Sequence, residues 1–516
     1  MKKILFIHLL LLLSFFAVNA QKKEDCLVKV TFLHVNDVYQ FMPVDGGTRG
    51  GLARLLTLKK QAVAENPNML FTMGGDTISP SVESRTYKCA QMIDAWNTVG
   101  IDYSVLGNHE FDFKTADLLA RIKESKFTWL GANVVDKKTK KIFADTPPYV
   151  IREIGGVKVG IIGFLLPETK QTSSMDESLE VTDFCQVAKK YVPLMRKKGA
   201  KTVVGLTHLS MEQDKKLAKC ADFDLILGGH EHSLLQSSSN KTPIFKMTAD
   251  ARELGKFNLF INKTTGKLEM MDWEIIPVTD KIADAPEFAV VVDKYKDLLQ
   301  KLSEPIGMTG EVLDATSFSN RNKETNIGNF IADSYRNATN ADVALVNGGS
   351  IRADLTYNVG MLTKRDVLSI LPFNNPIVKV EISGKTLREV LEHGVARSAE
   401  DSEAGRFPQV SGLSFIYDIS KSAGNRVTEI KVGGQPLNEN KNYTLATSDF
   451  IVSRGGDGYT MFKNAKILIK AEEAQKDSEV FERAIKQSPN STISPKLEER
   501  IKRIGQKAGE SKDNCK

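Results

Sequence analysis

The sequence predicts an α/β chain organised as two domains, and three observations predict it. Short apolar runs alternate with helical patterns from Val28 to about Trp273, nearly every run is followed by a polar, glycine-containing loop, and a charged, proline-bracketed segment then leads into a second mixed half. Alternation of this kind argues a layered α/β domain whose sites lie in the loops at strand ends. At 516 residues the chain is also too long for a single core.

Taken in order, the chain opens with Lys2 and Lys3, an apolar run from Ile4 to Val18, and the small-residue site Val18-Asn19-Ala20. This reads as a secretory signal peptide over 1–20. No later segment reaches the length needed to cross a bilayer, so no integral membrane segment is expected. The expected location is periplasmic, or secreted and extracellular. Removing the two leader lysines lowers the formal charge from +6 to +4, and the last stretch, Lys496–Lys516, carries most of the remainder. A nearly neutral body gives no support to nucleic-acid binding. Of the five cysteines, Cys26 with Cys515 and Cys185 with Cys220 are the possible bridges, and an exported chain permits either.

The first domain, 21–277, has candidate strands at Val28–His34, Met69–Thr72, Tyr103–Val105, Val157–Phe164, Thr202–Thr207 and Leu225–Leu227. Helical patterns at Gly51–Ala64, Ala90–Val99 and Thr115–Lys123 lie between them. The stretch 278–307, bounded by Pro286 and Pro305, reads as a linker helix. A second, smaller mixed α/β domain follows over 308–485, with turn signals at "NGGS", "VGGQPLN" and "RGGDGY". The basic tail, 486–516, is expected to be a helix packed on the body or a frayed end.

Strand ends in the first domain collect chemistry. In order they carry Asp37, then Asp76 in "GGDT", then Asn108, His109 and Asp112 in "GNHEFD", then His208 in "LTHLS", then His230 and His232 in "GGHEH". The chain has seven histidines, one of them in the leader, and four of the other six sit in these loops. A single such histidine would be unremarked surface or core. Four of them, with Asp and Asn at successive strand ends, point to metal. Carboxylate, imidazole and amide donors suit Zn, Mn, Co, Fe or Mg, and the lack of cysteine argues against a closed structural zinc site. One Asp can bridge two ions ~3.5–4 Å apart, which together clamp a phosphoryl group during in-line displacement.

These motifs resemble a known pairing. The set D-x-[HY]…GD…GNHEFD…H…GHxH resembles the calcineurin-like metallophosphoesterase domain, a four-layer-type α/β sandwich. "TNIGNFIADS" (325–334), "NGGSIRADL" (347–355), "LPFNNP" (371–376) and "GGDGY" (455–459) resemble the C-terminal domain of the 5'-nucleotidase family. The resemblance covers nearly the whole mature chain in the family's order.

It implies two divalent metal ions, Zn, Mn, Co or Mg. Asp76 would bridge them, Asp37 and His232 would hold one, and Asn108, His208 and His230 the other. His109 would stabilise charge on the phosphate, with Asp112 orienting its ring, while His34 and Glu110 match no functional position. In the second domain, Phe373 and Phe450 resemble the pair that sandwiches a nucleobase. Asp457 would accept from the ribose, and Asn347 and Arg352 would contact base or sugar-phosphate.

The implied activity is hydrolysis of nucleoside 5'-monophosphates, a small nucleotide being the substrate partner. UDP-sugar or dinucleotide pyrophosphatase action, or 2',3'-cyclic-nucleotide phosphodiesterase with 3'-nucleotidase action, is the alternative within the enzymes. A nucleotide-binding surface protein with a decayed metal site is the alternative outside them. Three positions depart from the family pattern: Tyr39 stands where D-x-H has histidine, Lys323 where arginine is usual, and Phe450 lies seven residues before Asp457 rather than six. Tyr39 is expected to hydrogen-bond beside a divalent ion, the other possibility being a phenolate ligand to ferric iron.

Overall fold

The computed structural model describes residues 26–398 and 404–506. The leader 1–20, Cys515 and the end of the basic tail lie outside these residues. The described residues form two compact units, one of 26–79 and 87–294, the other of 80–86, 295–398 and 404–506.

The first unit contains, in chain order, β1 (Leu27–Val35), α1 (Leu52–Glu65), β2 (Met69–Met73), α2 (Ala90–Val99), β3 (Tyr103–Val105), α3 (Lys114–Glu124) and β4 (Thr128–Leu130). It continues with β5 (Tyr149–Ile154), β6 (Val157–Leu165), α4 (Phe184–Lys197), β7 (Thr202–His208), α5 (Met211–Cys220), β8 (Leu225–Gly228), β9 (Leu235–Ser239), β10 (Thr242–Lys246), β11 (Glu253–Asn262) and β12 (Leu268–Pro277). They build two six-stranded sheets, ordered β12-β11-β1-β2-β3-β4 and β9-β10-β8-β7-β6-β5.

Each sheet is parallel at its centre and antiparallel where β11, β12, β5 and β9 join it. Alternate residues of β1, Val28, Val30 and Phe32, share one core cluster with Val159 and Ile161 of β6, Val204 and Leu206 of β7, and Leu225 and Leu227 of β8. The two sheets therefore meet face to face. Leu33 and Val35 on the other side of β1 are equally buried, as parallel strands covered on both faces require. Helices α4 and α5 lie along the second sheet. A disulfide between Cys185 of α4 and Cys220 of α5 joins these helices, the Cα atoms 5.3 Å apart.

The stretch 278–307 holds α6 (Ala289–Leu302). In the second unit, α7 (Asn326–Thr339), β13 (Val343–Asn347), β14 (Ile377–Ser383), α8 (Gly384–Gly394), β15 (Pro408–Ser411), β16 (Leu413–Asp418), β17 (Asn442–Ser448), β18 (Lys466–Ile469), α9 (Asp477–Gln487) and β19 (Ile501–Ile504) carry most of the order. A five-stranded sheet runs β15-β13-β17-β14-β18. Ala344 and Val346 of β13 face a core with Ile331 and Tyr335 of α7 and Phe481 of α9, while Val343 and Leu345 face a second core with Leu387 and Leu391 of α8. Beyond α9 the described part of the tail is neither α-helix nor frayed end: β19 pairs in parallel with β16. Its lysine and arginine hid an edge strand, which tolerates charge because one side of it meets water. Among the described residues no helix is long and apolar enough to cross a membrane.

Candidate metal centre

Parallel pairing within each sheet and close packing between the sheets bring the carboxyl ends of β1, β2, β3, β7 and β8 to one edge of the first unit. Asp37 follows β1, Asp76 follows β2, Asn108 and His109 follow β3, His208 ends β7, and His230 and His232 follow β8. Oxygens of Asp37 and Asp76 and a ring nitrogen of His208 all lie within 4.8 Å of one another. His208 Nε2 is 3.4 Å from Asp76 Oδ1 and 3.1 Å from Asn108 Oδ1. The His230 ring centre is 5.2 Å from that of His208, and His232 Nε2 is 3.4 Å from Asp37 Oδ1. All six ligand candidates thus converge.

Backbone geometry holds them there. Asp37, Asp76, His230 and His232 have φ values of 53, 52, 91 and 57°, a left-handed region that costs a residue with a Cβ of order 1–3 kcal/mol unless its surroundings fix it. The fixing contacts are present. Asp37 N–H donates to Gly75 O at 3.0 Å, Val38 N–H to Asp76 O at 3.2 Å and Asp250 N–H to Asp37 O at 2.8 Å. The carboxylates accept main-chain donors as well: His109 N–H to Asp76 Oδ1 at 2.9 Å and His230 N–H to Asp37 Oδ2 at 2.8 Å. Glycine is required at two of the closest approaches. A Cβ on Gly107 would lie 2.3 Å from Asp76 Oδ1, and one on Gly229 would lie 2.8 Å from Asp37 Oδ2.

The electrostatics call for cations. Burial pushes the Asp37 carboxyl up, but His232, His208 and the His230 amide outweigh it and hold the group well below the carboxylate range. Asp76 is likewise opposed by burial and drawn down to about 2 by His208 and His109. Burial would keep His208 neutral, yet Asp76 and Asp37 raise it to about 10. The convergent, buried, cysteine-free oxygen and nitrogen set fits divalent ions. His208 also presents the right tautomer, because its Nδ1–H donates to Gly74 O at 2.8 Å and leaves Nε2 for the centre.

His109 Nδ1 donates to Asp112, 2.9 Å from Oδ2 and 3.1 Å from Oδ1, and Ser79 Oγ donates to Asp112 Oδ2 at 2.7 Å. Tyr39 reaches into the cluster. Its hydroxyl lies 2.7 Å from His232 Nε2 and 3.2 Å from both Asp37 Oδ1 and Asp76 Oδ2. Its T-shaped ring contact with His109 places it beside the dyad too. His34 lies just outside, its ring bonded to Thr72 Oγ1 and Gly228 O at 3.0 Å each, with burial lowering it to about 4.

Several supporting residues carry no signal in a local reading. Asn36 Nδ2 donates to Asp37 Oδ2 at 2.8 Å and to Met247 O at 2.9 Å, and Asp250 Oδ1 accepts from Tyr39 N–H at 2.9 Å. Glu110, pushed up to about 8 by burial and by Asp76, accepts from the N–H groups of Asp76, Thr77 and Gly107. It templates the loops that aim Asp76 and Asn108. Only its place inside "GNHEFD" could have drawn attention to it.

In the second unit, Asn347 Nδ2 donates to Asp457 Oδ2 at 2.7 Å, and Asp457 has φ 53°. His393 Nε2 donates to Asp457 O at 2.9 Å. Arg352 N–H donates to Ile370 O at 3.0 Å, tying its loop to the one that carries Phe373. Phe450 lies against Gly456, where a Cβ would be 2.3 Å from its ring. Phe450 and Phe373 are half-buried, whereas Ile451 is wholly in the core. Of the two neighbours, only Phe450 is not fully buried. Lys323 pairs with Asp314 at 3.7 Å.

Residues 30–234 match the calcineurin-like phosphoesterase family and residues 305–464 match the 5'-nucleotidase C-terminal domain. A snake venom 5'-nucleotidase of Naja atra is 30% identical over 488 residues, which cover 84% of this chain and 92% of that protein. A trifunctional nucleotide phosphoesterase protein of Bacillus subtilis is 29% identical over 538 residues, covering 94% of this chain but 36% of that longer protein. Among solved structures, a 5'-nucleotidase precursor from Thermus thermophilus superposes with a TM-score of 0.86 at 27% identity, over 92% of this chain and 99% of that one.

Proposed function

Because the chain belongs to the 5'-nucleotidase family of metallophosphoesterase hydrolases, we propose that it cleaves nucleoside 5'-monophosphates to nucleoside and orthophosphate. The observation that carries this reading is the convergence of Asp37, Asp76 and His208 within 4.8 Å at the strand ends. Asp76 would be shared by two divalent ions, with Asp37 and His232 holding one and Asn108, His208 and His230 holding the other. When bound, the ions supply positive charge to the phosphoryl oxygens and lower the pKa of the attacking water.

The protein's own groups do the rest. His109 contacts a phosphoryl oxygen and stabilises the charge that grows there in the transition state, and Asp112 fixes its ring through Nδ1. In the second unit, Phe373 and Phe450 stack on the base. Asp457, oriented by Asn347, accepts from the ribose hydroxyls, and Arg352 contacts base or sugar-phosphate. The leader 1–20 routes the protein to the periplasm or the exterior, where it scavenges nucleotides.

The test is phosphate release from AMP, GMP, UMP, ADP, UDP-glucose, 3'-AMP and 2',3'-cyclic AMP with Mn, Zn, Co or Mg. We expect a 5'-monophosphate to lead, chelation to stop turnover reversibly, and Asp76→Ala to fall to the chelated background. Full turnover by chelated, metal-free protein would sink the dimetal mechanism. The likeness to a trifunctional nucleotide phosphoesterase supports a second reading: faster cleavage of the cyclic nucleotide or of UDP-glucose would select it.

A further inference from the structure

Lys246, the last residue of β10, is 1% exposed and carries its charge into the protein behind the two histidine loops. Its ammonium donates to Leu209 O and, at 2.8 Å, to Gly229 O, and it pairs with Glu231 and, at 2.9 Å, with Asp214 Oδ2. Leu209 follows His208, Gly229 precedes His230, and Glu231 stands between His230 and His232. The other Glu231 oxygen accepts from Met211 N–H, at the start of α5, which also carries the fully buried Asp214. One cation thus gathers oxygens from the β7–α5 turn, from the β8 loop and from α5.

Burying an ammonium is costly unless it is paired and fully hydrogen-bonded. Four oxygen partners around three N–H donors meet that condition, and they come from segments that no backbone ladder joins beyond the last pairing of β7 with β8. Removing the charge would leave two carboxylates and two carbonyls facing one another in a dry pocket. The segments this repulsion would push on are those that bear or adjoin His208, His230 and His232.

Resting on the metal reading above, we propose that Lys246 is a positioning residue: its ammonium clamps the two histidine loops together so that three imidazoles stand at metal-binding distance. The position is an oxygen cage filled by a tethered cation, so a free cation of the same shape is expected to work in its place.

The experiment is Mn titration of the metal-free full chain, monitored by bound metal rather than by turnover, with the melting temperature recorded alongside. Lys246→Ala removes three carbons and the ammonium. It should weaken Mn affinity at least tenfold in folded protein. Propylamine, which replaces the missing atoms and the charge, should restore most of that loss at a fixed pH, whereas propanol, which replaces the volume alone, should not.

Affinity within about twofold of the parent, or equal rescue by propylamine and propanol, overturns the proposal. Should Lys246→Ala fail to fold, Lys246→Met with Asp214→Asn removes opposite charges together and is titrated the same way. Parental Mn affinity in that variant also overturns it. A parent chain that binds no Mn overturns the metal reading and this proposal with it.

Discussion

The two clusters of polar residues differ in how they are held. In the first cluster Asp37, Asp76 and His208 are at most 1% exposed, the backbone is left-handed at four ligand candidates, and main-chain amides fix the carboxylates. Around Asn347 and Asp457 one short side-chain bond is only part-buried, and Arg352, Phe373, Phe450 and Asp457 stay half-exposed. The contrast matches the tasks proposed for them. Charge stabilisation needs donors fixed before the reaction in a low-dielectric setting, whereas a stacking platform tolerates different bases because each offers a π-face. Damage should therefore be severe and substrate-blind in the first cluster, but graded and substrate-dependent in the second.

The largest effect that tests this contrast is at His109. His109→Ala should lower kcat by ~10²–10⁴-fold and leave KM for AMP nearly unchanged, as expected of a group that acts on the transition state. Steady-state kinetics on AMP and on a small phosphate ester should show the same loss for both. A loss under about threefold would make His109 part of the scaffold.

Next come Phe373→Ala and Asp457→Ala. Each should raise KM for AMP while sparing the small ester, which has neither base nor ribose. Stacking worth ~1–3 kcal/mol corresponds to a change of roughly 5- to 150-fold, well within measurement. Equal damage to both substrates would erase the distinction between the clusters.

The smallest effect is expected at Tyr39, which lies in the rigid cluster yet departs from the family pattern. Its hydroxyl touches His232, Asp37 and Asp76, and a phenol with a pKa near ~10 does not readily ligate Mg, Mn or Zn at neutral pH. Losing a neutral hydrogen bond costs ~0.5–1.5 kcal/mol, so Tyr39→Phe should lose no more than about tenfold in kcat/KM. The purified protein should be colourless. A visible absorption band that vanishes in Tyr39→Phe would instead make Tyr39 a ligand to ferric iron.

Much of the first cluster was legible because its signals are local. Each candidate sits within a few residues of an apolar strand, most of them near glycine, in a chain with few histidines, so position and residue type together imply convergence. Lys246 was not legible: "PIFKM" reads as a strand ending at a surface lysine, and only the tertiary meeting of β7, β8 and α5 turns that charge inward. β19 was missed for a related reason, since Lys502 and Arg503 dilute the apolar pattern of Ile501 and Ile504. In the second unit the loops were legible as turns, but not that Phe450 would be half-buried while its neighbour Ile451 went into the core.

The pairing of β1 has a consequence for how the chain is made. This central strand lies between β2 and β11, and Thr31 bonds Asn258 across 227 residues of sequence. Its sheet cannot close until residues beyond 250 have left the ribosome, so the loops on either side of Asp37 gain their left-handed geometry late. Such distant pairing folds slowly, and during synthesis at ~5–20 residues per second the nascent chain spends on the order of tens of seconds without a closed core. For a chain exported as proposed above, that delay is an asset.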